Sequence, residues 1–210
     1  MNMNFIESVT LDVADPEAAA RFCSTAFGLD TQIRLRASQE PSTGFRGFTM
    51  ALTVSGPSAV ESLVATALEA GATQLKPVTK SFWGHGGVVR APDGTIWKVA
   101  TSAKKDPGPT TREINEIVLL LGVADVAASK RFYVGRGLAV AKSFGRVYAE
   151  FASGESPVKL ALYRRRALAK DVGVSPEGTG SHRVALVGGT ESFTDPDGFA
   201  WEAAVPAPTA

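Results

Sequence analysis

Apolar and β-branched residues alternate with polar ones over residues 8–13 (SVTLDV), a period-two pattern that predicts a half-buried strand. The period then lengthens. Asp15 stands where a side-chain oxygen can cap a helix, and Pro16 has the fixed φ suited to a first helical position. Ala18, Ala19, Phe22, Cys23 and Ala26 then recur on one helical face until Gly28. A strand is predicted over 31–36, a polar loop over 37–44, a strand over 48–54 and a helix over 58–70 ended by Gly71. Further strands follow over 74–78, 87–90 and 95–100.

Residues 101–112 (TSAKKDPGPTTR) have no apolar periodicity and combine lysines, prolines and a glycine, which is linker composition. The pattern divides the chain into an N-terminal half (1–101), a linker (102–112) and a C-terminal half (113–210). After the linker it starts again, with a strand over 114–123, a helix over 125–134 and strands over 138–144, 147–152 and 158–163. Residues 164–170 read as a short, basic, solvated helix and 171–181 as a Gly/Ser/Pro loop. A strand over 182–187 and a hairpin over 192–204 complete the chain.

The two halves are copies. Val13-Ala14-Asp15, Arg21-Phe22 and Gly28-Leu29 recur in order as Val123-Ala124-Asp125, Arg131-Phe132 and Gly137-Leu138. APDGTIWK at 91–98 recurs as DPDGFAWE at 195–202. Pro-Asp-Gly is turn chemistry, because Pro presets φ and Gly accepts positive φ. In the strand that follows, Trp97 and Lys98 must face opposite ways, as must Trp201 and Glu202. The first half lacks strands between Arg36 and Phe48, and the second has only residues 188–191 where the first has a helix.

Composition narrows the function classes. With 210 residues, 44% hydrophobic and 20% charged, the chain can bury a full core. A formal net charge of +1 without a basic block argues against nucleic acid or an anionic membrane as partner. One cysteine excludes an internal disulfide framework, and its place on the first helix's apolar stripe predicts an inert thiol. No signal-like or membrane-length apolar run occurs, so a cytoplasmic protein is expected, monomer or homodimer. The sequence carries no G-x-S-x-G elbow, no Walker motif and no G-x-G-x-x-G after a strand.

The order V-x-L-x-V-A-D, capped helix with Arg-Phe, Gly-Leu exit, strands and terminal D-P-D-G-x-x-W-E, present over about 5–101 and 113–205, resembles the glyoxalase/bleomycin-resistance/dioxygenase superfamily, also called vicinal oxygen chelate proteins. The resemblance implies an α+β fold of paired βαβββ modules, some shortened, whose curved mixed sheets form a cup with helices outside. It also implies metal ligands, His or Glu, on the first strand of a module and on the strand after the Pro-Asp-Gly turn. Here those places hold Ser8, Val118 and Lys98, and an ammonium cannot coordinate. His182, Glu202 and, on the strand face of Val118, Glu116 are the candidate ligands of a single incomplete site. The alternatives are a hydrogen-bonded His182, a solvated Glu116 and a Glu202 paired with Lys98 or another cation.

Trp83, His85, Lys98 and Tyr148 are the candidate ligand-binding residues, with Trp83 and His85 in a glycine-rich loop. The expected function is binding of a small, moderately apolar molecule in a sheet-lined cup, with sequestration and no cofactor. One alternative is a lyase, isomerase or ring-cleaving dioxygenase using Fe, Mn, Ni or Zn near Glu202. Another is a degenerate structural or interaction member of the superfamily.

Overall fold

The computed structural model describes residues 6–204. A first unit runs β1 (Ser8–Val13), α1 (Pro16–Phe27) and β2 (Arg34–Ala37), with a short β3 (Ser42–Gly44) after it. Asp15 caps α1 by accepting the Ala18 N–H at 3.0 Å, and Gly28 ends it in the left-handed region at φ 70°. The second unit is complete, with β4 (Phe48–Val54), α2 (Pro57–Glu69), β5 (Thr73–Ser81), β6 (Gly84–Arg90) and β7 (Ile96–Thr101). The third repeats it as β8 (Ile114–Val123), α3 (Val126–Gly135), β9 (Val140–Phe144), β10 (Tyr148–Phe151) and β11 (Val158–Arg164). After α4 (Arg165–Val172) and β12 (Gly178–Gly180) comes a reduced last unit of β13 (Val184–Val187), β14 (Phe193–Thr194) and β15 (Ala200–Glu202).

The two complete units join through their first strands. β4 lies antiparallel to β8 with Ala51 opposite Val118, giving an eight-stranded sheet in the order β5-β6-β7-β4-β8-β11-β10-β9. The reduced units join in the same manner, β1 antiparallel to β13, in a five-stranded sheet ordered β14-β15-β13-β1-β2. Each sheet therefore takes strands from both sides of residues 102–112. The shortening falls where the sequence lacks pattern: only β3 forms between β2 and β4, and residues 188–191 form no helix.

Strand alternation sorts side chains between two environments. Met50, Leu52, Trp97, Val99, Ile117, Leu119 and Leu121 join Val9, Leu11, Leu186 and Trp201 of the other sheet in one core with α1, α2 and α3. Trp97 and Trp201 are each 1% exposed, while Lys98 and Glu202 point the other way. We call the face of the eight-stranded sheet away from α2 and α3 its inner face.

α4 lies on that inner face. Gly122 permits the approach, since a Cβ there would stand 3.2 Å from Arg165 Cα. Leu168, Ala169 and Val172 are fully buried, packed with Phe45, Val88 and Ile96. The basic segment is thus not a solvated helix. Its i, i+1, i+4 apolar residues close one end of the inner face, and Arg164, Arg166 and Lys170 turn to solvent.

Candidate functional site

Cross-strand pairing lays the inner face out in rows. Lys76 pairs with Val88, Val88 with Lys98, Lys98 with Ala51, Ala51 with Val118 and Val118 with Lys159. Directly paired residues share a face, so this row carries three lysines over a floor of Val88, Ala51 and Val118. The adjacent row, toward the open end, is Thr79, Gly86, Ala100, Thr53 and Glu116. A cup of about 720 Å³ lies over these rows, with Asp171 of α4 at its closed end and Trp83 at its mouth.

The charged groups are engaged. Lys98 Nζ donates to Asp171 Oδ2 at 2.6 Å, with the two side chains 28% and 36% exposed. Lys76 Nζ donates to the carbonyl oxygens of Lys170 at 2.8 Å and Asp171 at 2.6 Å, where a helix C-terminus is negative. Lys159 pairs with Glu116 and approaches Glu150 at 4.0 Å. Tyr148 donates to Glu150 at 2.6 Å and packs beside the apolar patch of Ala51, Val118 and Ala161. Burial, then the bond to Glu150, pushes the Tyr148 hydroxyl well up; burial and Asp171 raise Tyr163.

The mouth is built rather than loose. Gly84, at φ 128°, presses so closely on β7 that a Cβ would sit 1.8 Å from the Thr101 carbonyl oxygen. Ser81 Oγ accepts the Trp83 N–H at 3.1 Å, and Lys104 donates to the Ser81 carbonyl at 3.0 Å. On this fixed turn Phe82 and Trp83 are 83% and 81% exposed. His85 lies in β6 rather than in a loop. Alternation sets it opposite Gly86 and Val88, and its Nδ1 is 3.4 Å from the Ala103 carbonyl oxygen.

The five-stranded sheet holds the other candidates. Arg36 bridges Asp12 Oδ1 and Glu202 Oε1, both at 2.7 Å, and those bonds raise the guanidinium pKa further. A groove of about 900 Å³ runs past Asp12, Arg36 and His182. His182 precedes β13, which begins only at Val184; Arg183 between them is left-handed at φ 58°. The His182 ring stacks on Phe199 at 4.0 Å, with Nδ1 facing the Arg46 carbonyl and Nε2 the Asp197 carbonyl. The turn acids are structural. Asp195 Oδ1 accepts the Asp197 and Phe199 N–H groups and Oδ2 the Tyr133 hydroxyl, while Asp197 accepts Ala124 N–H and Ser129 Oγ. Cys23 is buried, its thiol pushed up to about 12 chiefly by burial.

The structure brings Trp83, Lys98 and Glu116 to one cup, with His85 at its edge and Tyr148 on the neighbouring wall. It separates the three proposed metal ligands: Glu116 is on one sheet, Glu202 on the other, and His182 in the loop before β13. Lys76 and Asp171 are cup residues that sequence reasoning missed. The Leu168, Ala169 and Val172 spacing signals a buried helix face, which would have turned attention to Asp171.

No protein-family model matches the chain, and no curated protein does. Among solved structures, glyoxalase I from Zea mays superimposes with a TM-score of 0.62 at 14% identity, covering 95% of this chain and 91% of that one. A putative dioxygenase from Bacillus subtilis gives 0.57 at 9% identity, covering 96% and 85%. The chain has the glyoxalase fold.

Within the glyoxalase fold, the donor set of the eight-stranded cup does not fit a divalent ion. Its central row offers methyl groups and ammoniums, and its carboxylates Glu116 and Asp171 are held by Lys159 and Lys98. Glu202 in the second sheet is engaged by Arg36, and Val187 opposite it carries no donor. Among the described residues no three His, Cys, Asp or Glu side chains cluster as a metal site, and no helix is long and apolar enough to cross a membrane.

Proposed function

We propose that this protein binds a small organic molecule, without a metal, in the cup on the inner face of the eight-stranded sheet. One observation carries the reading. A cavity of about 720 Å³ lies over a floor that includes Gly86 and Ala100, with lysines at its closed end and an exposed indole, carried on a hydrogen-bonded turn, at its mouth. That volume falls in the range of small-molecule sites, and a floor of small residues leaves room for a flat ligand. The second groove favours binding less, because its central cation is already held by two carboxylates and the His182 ring in its lining is already stacked on Phe199.

A molecule that binds only the native state raises apparent stability by an amount that grows with the logarithm of its concentration above Kd. Thermal denaturation across a panel of aromatic compounds should therefore find compounds that raise Tm. Replacing Thr53 on the cup floor by Trp should abolish the rise. Stabilisation that survives Thr53→Trp contradicts this site. Elemental analysis tests the metal-free part of the reading, which fails if stoichiometric metal is present and is lost in Glu202→Gln or His182→Ala.

A further inference from the structure

The cup is lined by Lys76 and Lys98 and by Asp171 and Glu116; Glu116 lies one row nearer the mouth and is held by Lys159, so the closed end has two ammoniums and one carboxylate. Lys76 and Lys98 occupy one row with β6 between them, about 10 Å apart between Cα atoms. Asp171 is the carboxylate lining that end, and it bonds Lys98. Among the described residues Lys76 Nζ bonds the carbonyls of Lys170 and Asp171, which carry partial rather than full charge. Both ammoniums have aliphatic stems along the wall, so their charged ends converge beside the empty space.

The rest of the cup is shaped for a flat body. Going toward the mouth, the next row is Gly86 and Ala100, flanked by the hydroxyl residues Thr79 and Thr53. Two residues further lies Gly84 beside Trp83. The lysine row is thus about 14 Å from the mouth along the strands, the length of a molecule with one or two rings and a short acidic group.

We propose that the cup takes a planar aromatic carboxylic acid. Its carboxylate replaces that of Asp171 on Lys98 with Lys76 alongside, its ring lies over Gly86 and Ala100, and its far edge meets Trp83. The exchange trades one ammonium–carboxylate pair for another. The displaced Asp171, already 36% exposed, returns to water. Net affinity then comes from burying the ring and from the second ammonium. This inference rests on the cup being a small-molecule site.

Calorimetric titration with 2-naphthoate, 2-naphthamide and 2-naphthylmethylammonium separates the two claims. The acid should bind, with the amide about tenfold weaker because it forgoes a charge-assisted hydrogen bond, and the ammonium weakest. Lys98→Gln should erase the preference for acid over amide. Asp171→Asn should tighten the acid severalfold by removing its competitor, without changing the amide. If acid and amide bind equally and both are lost in Thr53→Trp, the cup binds small molecules but the carboxylate preference is wrong. Preference for the ammonium, or a weaker acid in Asp171→Asn, overturns it likewise. If none of the three binds, the small-molecule reading falls with it.

Discussion

Tyr133 is fully buried and donates to Asp195 Oδ2 at 2.5 Å, while Trp201 Nε1 donates to the Tyr133 oxygen at 3.3 Å. Burial first and Asp195 second push the Tyr133 hydroxyl far above the usual phenol range, and burial also raises the Asp195 carboxyl. Tyr148 and Tyr163 are raised as well, so all three tyrosines ionise less readily in the fold than in the unfolded chain. The stability this contributes is present below the unfolded phenol value of about 10 and is lost as pH rises through the folded values. Phenolate absorbance at pH ~10 should therefore fall well short of half its final value, and appear together with loss of circular dichroism. Half-ionisation near pH ~10 with the fold intact would contradict these placements.

At the scale of elements, α4 is held by Leu168, Ala169 and Val172 and by Lys76 at its C-terminus. Truncating Leu168 to Ala removes buried contacts and leaves a void, a cost of about 2–5 kcal/mol, read as a lower midpoint in denaturant. An unchanged midpoint would mean that α4 does not close the cup. The elements also mark where the sequence speaks clearly. Asp15, Pro16 and Gly28 bound α1 by local chemistry, and alternation alone sets Trp97 against Lys98. Other contacts join residues far apart in sequence. The residue at the N-cap of α2 is Gly56, which has no side chain, and Asp106 from the linker caps the helix by accepting Ser58 N–H at 2.9 Å. A Cβ at Gly56 would stand 2.3 Å from that carboxylate. Arg36 likewise finds Glu202 from the opposite end of the chain, and Lys98 finds Asp171 across the linker. No periodicity or spacing announces such pairs.

The whole molecule interleaves its halves. Because β4 pairs with β8 and β1 with β13, residues 1–101 alone would expose the joining edge of both sheets and part of the shared core. We predict that this fragment expressed by itself does not fold, and that co-expression with residues 102–210 restores a soluble, folded complex. An independently folded fragment with a cooperative melt would contradict the interleaving. The repeat is legible in the sequence, as is the shortening of two units. Which unit pairs with which is not, because the apolar pattern of each first strand does not single out one of the others as its partner. The candidate site was legible where single residues announce themselves, at Trp83 and Lys98. It was hidden where a helix from the other half closes the cup.

An amide-resolved NMR titration with 2-naphthoate locates the ligand in the molecule, since it reports where a molecule binds as well as whether it does. Binding in the cup should give saturable shifts concentrated at Thr53, Gly86, Lys98, Ala100 and Asp171, with little change at Arg36, His182 or Glu202. Shifts centred on the second sheet, or none at saturating concentration, would contradict it.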